Sequence, residues 1–384
     1  MAAISVIMAV LSGCSGQTAA APPTRGAVKV GLVVSLTGAA SPTAELAIQG
    51  ATVAVAQAKG QLGAGRSIQI VQADDKSTSA GAGSACSRLV SDDGVVAIVG
   101  FESAAAIAAC SKAVAGTHVP YFAGLSPGAE PCSPNVFAFG FTPNQQVTPL
   151  VDFLQRKQSA KTFYVLAADD AWGQGSAAIA ASGIRQGGGT LLGSQLIQPQ
   201  TADFTGQIAM VAAAKPDVLI DALERDDEVA FQQQLRKDPR LAAVKVASLS
   251  LDATAARSVG PAAVGVYVAN DYNQADQSPA TQSWLSELLA RYGDGAIPSA
   301  TGAEMFDATL AMATAIGLAS DISGAAISNA GSGVSIVGPR GTVQLVAGAH
   351  GYATVSAHIG QVNKAFGVDL LAVSDPTAPL ACQG

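Results

Sequence analysis

The sequence predicts an α/β protein of two lobes, each a doubly wound parallel sheet, and two observations carry that expectation. Short apolar, β-branched runs alternate with helical patterns along most of the chain, and regular β-α-β alternation builds a parallel sheet with helices on both faces. The alternation restarts after Asn144, and 384 residues are too many for one typical domain and comfortable for two.

In the first unit, residues 28–36 read as a strand. Ser41 and Pro42 follow as the N-cap and first position of a helix. Strands at 67–73, 95–99 and 120–123 alternate with helices at 80–91 and 104–115. In the second unit, helices at 149–156, 173–186, 204–214 and 229–236 alternate with strands at 162–167, 191–196, 217–223 and 244–249, and 265–269 follows. Long helices at 281–292 and 300–319 come next, then β-like segments at 341–346 and 353–362. Two such units leave a crevice between them, and ligands of open parallel sheets sit beyond the carboxyl ends of the strands.

Composition narrows the function. The chain is 49% hydrophobic and only 13% charged, so its core is built from many small side chains. A net charge of −7 with no basic run excludes a nucleic-acid partner. Residues 2–11 form an apolar run too short to span a bilayer. The run ends in Leu11-Ser12-Gly13-Cys14, small residues directly before a cysteine. This resembles the bacterial lipobox, although the Lys/Arg that normally opens such a leader is missing. Cys14 is therefore the expected lipid carrier, with residues 15–25 as a flexible tether. Export permits disulfides, and removing Cys14 leaves Cys86, Cys110, Cys132 and Cys382. Cys86 and Cys110 sit on helices expected to lie side by side, so they can pair. Cys132 would then pair with Cys382 and pin the C-terminal tail to the first lobe.

The catalytic motifs fail. Gly124-Leu125-Ser126-Pro127-Gly128 matches a nucleophile elbow, but Pro127 has no N–H for an oxyanion. Gly173-Gln174-Gly175-Ser176-Ala177-Ala178 matches a dinucleotide fingerprint, but Asp169 and Asp170 precede it and would repel a pyrophosphate. His118, His350 and His358 show no metal spacing. The run Glu224, Arg225, Asp226, Asp227, Glu228 reads as a solvated loop, with Glu224 kept as a pocket candidate because it directly follows a strand. No catalytic residue, metal or cofactor is expected.

Several segments together are similar to one family. Val30-Gly31-Leu32-Val33-Val34-Ser35-Leu36-Thr37-Gly38, Val119-Pro120-Tyr121, Trp172-Gly173-Gln174-Gly175, and Asp203-Phe204 with Lys215-Pro216-Asp217-Val218 occur in order. They resemble the type I periplasmic solute-binding proteins of the branched-chain amino acid and amide/urea group. Pro143-Asn144-Gln145 resembles the amide and urea binders, and an Asp that leucine-type binders carry near Thr142 is absent. The resemblance implies a periplasmic-binding-protein-like I fold, two lobes on a three-segment hinge. Residues 28–144 plus 276–332 would form lobe one and 145–275 plus 333–375 lobe two. Residues 1–27 would be leader and tether, and 376–384 a tail. The crossovers are expected near 142–146, 270–275 and 332–338. The implied ligand contacts are Glu102, Ser103, Ala104, Gly124, Leu125 and Ser126 from lobe one, and Trp172, Glu224 and Asp252 from lobe two. The implied function is that of a lipid-anchored, extracytoplasmic monomer that delivers a small molecule to the permease and ATPase of an ABC transporter. Ligand sensing without transport is the alternative.

Overall fold

The computed structural model describes residues 26–63, 65–101, 103–125, 135–346 and 351–380. Lobe one opens with β1 (Gly26–Val34), α1 (Ser41–Gln57), β2 (Arg66–Asp74), α2 (Ser79–Ser91), β3 (Ala97–Phe101), α3 (Ala104–Val114), β4 (Tyr121–Ala123) and β5 (Val136–Ala138). These strands form one parallel sheet in the order β2-β1-β3-β4-β5. Lobe two follows with α4 (Pro143–Arg156), β6 (Thr162–Ala168), α5 (Ala171–Gln186), β7 (Thr190–Ile197), α6 (Thr205–Ala214), β8 (Val218–Ala222), α7 (Arg225–Leu235), β9 (Lys245–Ser248), α8 (Ala253–Val259) and β10 (Tyr267–Asn270). The chain then returns to lobe one through α9 (Pro279–Tyr292), α10 (Ala300–Leu318), α11 (Gly324–Gly331), β11 (Ser335–Gly338), β12 (Gly341–Leu345) and β13 (Ala353–Thr354). It re-enters lobe two as β14 (His358–Val362) and β15 (Val368–Val373), completing the sheet β15-β14-β10-β9-β8-β6-β7. Only β14 runs against the other strands there, pairing antiparallel with both β10 and β15.

Both central sheets are buried on both faces, which is why their strands read as apolar runs. On β1, Val30, Leu32 and Val34 face a core shared with α1 and α10, while Val33 faces one shared with α2 and α3. On β6, Phe163, Val165 and Ala167 face one core and Tyr164 and Leu166 the other. Small residues allow close helix packing. A Cβ on Gly50 of α1 would lie 2.1 Å from the Gly302 carbonyl oxygen of α10. Helices α2 and α3 do lie side by side, and Cys86 and Cys110 are disulfide-bonded with Cα atoms 5.4 Å apart.

The structure corrects several expectations. Residues 333–346 and 351–355, expected in lobe two, belong to lobe one: Val334, Ile336, Val343, Leu345, Ala353 and Val355 bury into the same core as Val30, Phe122 and Met312. The third crossover therefore runs over 355–357, not 332–338. Helix α4 begins at Pro143 rather than Pro149; Thr142 N–H donates to Gln145 Oε1 at 3.0 Å, and Pro143 is the proline of the first turn. Pro149 lies inside the helix and sacrifices one hydrogen bond. The cap of α1 is Ala40, one residue before Ser41. Helix α7 starts at Arg225, so Glu228 is not in a solvated loop but 2% exposed within a helix. Helix α11 and strand β15 carry no strong periodicity in the sequence.

Candidate functional site

The site is built by topology before any side chain is considered. In a parallel sheet every strand ends at the same edge, and each following helix starts there. The first crossover, Phe139 to Thr142, leaves lobe one from the carboxyl end of β5 and enters α4 of lobe two. Helix α4 begins at the carboxyl edge of lobe two, because Gln146 Nε2 donates to Leu249 O and Ala269 O, at 2.6 and 2.8 Å, at the ends of β9 and β10. The third crossover does the same. The chain beside β5, bridged Ala138 to Tyr352, runs parallel to it, and β14 begins opposite Asn270, the last residue of β10. The two carboxyl edges therefore face each other, and four residues of chain span at most about 14 Å at the first crossover.

Each edge gathers predicted residues from adjacent strands. In lobe one, Ser103 follows β3, while Gly124 and Leu125 follow β4; Gly124 N–H donates to Gly100 O at 2.8 Å and ties the two loops together. Ser103 is exposed and caps α3, its Oγ accepting from Ala106 N–H at 3.3 Å, and Ala104 opens that helix. Glu102 and Ser126 lie outside the described residues. So do Cys14, Cys132, Cys382 and His350.

In lobe two, Trp172, Glu224 and Asp252 follow β6, β8 and β9, three neighbouring strands. Trp172 is half-buried and packs on the core that holds Val147 and Leu249, with Phe141 of the crossover on the same cluster. Part of its role is thus packing. Glu224 is the exposed N-cap residue of α7. Asp252 caps α8, its Oδ1 accepting from Thr254 and Ala255 N–H at 2.8 and 2.7 Å. Ser250 Oγ donates to Leu223 O at 2.5 Å, holding the β8 and β9 loops together. The Asp203 and Asp217 motif residues are structural. Asp203 receives Thr205, and Asp217 receives the N–H groups of Lys161 and Thr162.

Sequence reasoning missed two buried charge clusters. Beneath the Glu224 loop, Asp221 and Glu228 are buried against each other, with Gln232 Nε2 donating to Asp221 at 2.7 Å and to Glu228 at 3.3 Å. Burial pushes Asp221 up to about 6. Burial and the Asp221 charge push Glu228 well above the carboxylate range, so the pair keeps a proton. The second cluster ties the crossovers together. Arg340, in the β11–β12 turn, donates to Phe139 O of the first crossover at 2.8 Å and to Asp271 of the second at 2.6 Å. Its Nε donates to Asp307 of α10 at 2.7 Å. Burial works against this guanidinium, but Asp307, Asp271 and Glu304 outweigh it and keep it charged. His358, at the end of the third crossover, lies 3.5 Å from Asp276 of the second, and burial lowers its pKa. Such clusters have no local signature, because their members are far apart in sequence.

The chain matches the family model for periplasmic binding proteins over residues 27–366. An ABC transporter substrate-binding protein from Sphaerobacter thermophilus superposes with a TM-score of 0.80 at 19% identity, covering 91% of this chain and 98% of its own. A leucine binding protein from Thermotoga maritima gives 0.75 at 20% identity, covering 91% and 99%. A solute binding protein from R. palustris, in complex with benzoate, gives 0.73 at 20% identity, covering 93% and 99%. No curated protein matches.

Proposed function

Because the chain belongs to the periplasmic binding protein family, we propose that it captures a small molecule between its lobes for an ABC-type uptake transporter. The single observation that supports this most is the arrangement of the crossovers. They join the two sheets at their carboxyl edges, so the loops bearing Ser103, Ala104, Gly124 and Leu125 lie across a cleft from those bearing Trp172, Glu224 and Asp252. A lobe that rotates about three short connections closes on what lies between. Glu102 and Ser126 complete the lobe-one set in this reading.

The cleft residues mix hydroxyl, backbone and carboxylate groups with the apolar Leu125 and Trp172. That mixture suits a small polar or amphipathic solute of the amide, urea or branched-chain amino acid type. Lobe one holds the ligand first, and Trp172 covers it on closure. Delivery requires a permease and an ATPase. Cys14 carries the lipid that keeps the monomeric protein at the outer face of the membrane, and Cys14→Ser should release it from the membrane fraction. A Cys132–Cys382 bridge fits the path of the tail, which Asn144 already holds through Ala378 O and Leu380 N–H.

Native mass spectrometry of the purified protein tests the reading. A small molecule released on denaturation, which raises Tm when added back, is the expected result. A protein that retains nothing and is not stabilised by any amino acid, amide or urea compound would refute it.

A further inference from the structure

The charges buried at the crossovers do not balance by themselves. Arg340 faces three carboxyl groups: Asp271 at the lobe-two end of the second crossover, and Glu304 and Asp307 of α10. All four side chains belong to residues 6% exposed or less. Arg340 spends Nε and Nη1 on Asp307, Phe139 O and Asp271, and among the described residues it gives Glu304 no hydrogen bond. Glu304 meets the Asp271 carboxyl instead. Two carboxyl groups hydrogen-bond only when one of them carries a proton, because an ionised carboxylate is no donor. This contact joins α10 of lobe one to the chain as it leaves β10 of lobe two, so it spans the hinge.

The surroundings of Glu304 offer no substitute for that proton. Asp307, one turn along α10, adds a like charge. Of the elements packed on α10, β3, α11 and β11 carry no ionisable side chain, and Tyr121 of β4 lies on the opposite face of its sheet. Glu45 of α1, Lys59 of the turn after it, and Glu287 and Arg291 of the neighbouring α9 are all exposed. In the second crossover, Asp276 faces His358 and Tyr272. His358 itself faces Asp276, Asp271 and Arg340.

We propose that Glu304 and Asp271 form a proton-operated tie across the hinge: the shared proton holds α10 to the second crossover, and its loss sets two carboxylates against each other and frees the lobes from this arrangement. Burial and the Asp271 charge hold the Glu304 proton well above the usual carboxylate range. This arrangement therefore binds one proton more than one in which Glu304 reaches water. It is favoured while Glu304 is protonated and is lost as pH rises through the raised value, its population ratio changing by up to about tenfold per pH unit. His358 acts in the opposite sense, because burial lowers its pKa, and it does so only below about pH 6.5. Asp307, pushed up to about 6, also titrates largely below pH 7. The range above pH 7 thus isolates Glu304 within the hinge. Where the cleft captures a solute, as proposed above, linkage makes that capture proton-dependent through the same hinge.

X-ray scattering from the solute-free full protein at pH 7, 8 and 9 tests this. The radius of gyration of the natural protein should shift across the range while its circular dichroism stays constant. Glu304→Gln, whose amide donates to Asp271 without a titrating proton, should keep its pH 7 radius throughout. Asp271→Asn, which also removes the like-charge pair, should be equally flat. Glu228→Gln alters a carboxyl pair inside lobe two and should shift as the natural protein does. The proposal is overturned if the natural protein keeps one radius from pH 7 to 9. It is equally overturned if Glu304→Gln and Asp271→Asn shift as the natural protein does, or if Glu228→Gln abolishes the shift. No solute enters these measurements, so their failure is separate from a failure of the cleft to retain a small molecule.

Discussion

Arg340 and Asp271 form an ion pair of 2.6 Å, with the arginine fully buried and the aspartate 4% exposed, at the point where lobe two releases the second crossover, directly after β10. The same guanidinium holds Phe139 O and Asp307, so one lobe-one side chain ties the lobe-one end of the first crossover to the lobe-two end of the second. Removing one partner of a buried pair leaves an uncompensated charge. Arg340→Met should destabilise the protein by about 3–5 kcal/mol in urea unfolding. Arg340→Lys should recover only part of that, because an ammonium cannot reach three acceptors as a planar fork does. Unchanged stability in both variants would show that the cluster does not hold the hinge.

The Asp221–Glu228 pair makes stability pH-dependent. Both groups have folded-state pKa values above their unfolded ones, Asp221 through burial and Glu228 through burial first and the Asp221 charge second. A raised carboxyl pKa gives stability that is fully present below about pH 4 and lost as pH rises through the folded values. Glu228→Gln keeps the hydrogen bonding without the second charge. Its stability should therefore fall less between pH 5 and 8 than that of the natural protein, by an amount on the order of 1 kcal/mol. Glu304 and Asp307, raised in the same direction, leave a residual slope. Chemical unfolding across that pH range checks it, and identical slopes would refute the shared proton.

The Cys86–Cys110 bridge closes a sequence separation of 24 residues. Loop-closure entropy for that length gives about 3 kcal/mol. A Cys86→Ala, Cys110→Ala double variant should lose roughly that much in chemical unfolding while keeping its helical circular dichroism. A loss near zero would mean that the packing of α2 on α3 suffices without the bridge.

Gly50 is required by the approach of α1 to α10, where an added Cβ would meet the Gly302 carbonyl oxygen at 2.1 Å. Gly50→Ala should cost about 1–3 kcal/mol by forcing the helices apart. Gly60→Ala, where the added Cβ meets nothing within 4 Å, should be nearly neutral.

Elements that follow local rules are legible in the sequence. The parallel strands of both lobes show as apolar runs because burial on both faces removes polar alternation, and Cys86 and Cys110 can be paired from the adjacency of their helices. The start of α4 is ambiguous because two prolines compete for its first turn, and only the Thr142–Gln145 bond selects Pro143. The lobe of residues 333–346 and 351–355 is decided by burial with Val30 and Met312, which are hundreds and tens of residues away respectively. Glu228 reads as part of a solvated run because the four residues before it are all charged, whereas its helical position turns it toward Asp221. Ser103, Gly124, Trp172, Glu224 and Asp252 fall on carboxyl-edge loops because such loops follow strands automatically; their part in binding belongs to the proposed function. The sequence does not show that the side chains of Ser103 and Asp252 accept hydrogen bonds as helix caps.

The most direct test of the account is the affinity of the co-purified solute for Trp172→Ala. Trp172 follows β6 on the lobe-two edge and is half-buried, which leaves part of the ring to be covered. If closure buries the remaining ring against ligand, the contact contributes roughly 1.5–3 kcal/mol, so Trp172→Ala should weaken binding about ten- to a hundredfold with the circular dichroism spectrum unchanged. An affinity equal to that of the natural protein would contradict the account, because the solute would then be held somewhere other than between the two carboxyl edges.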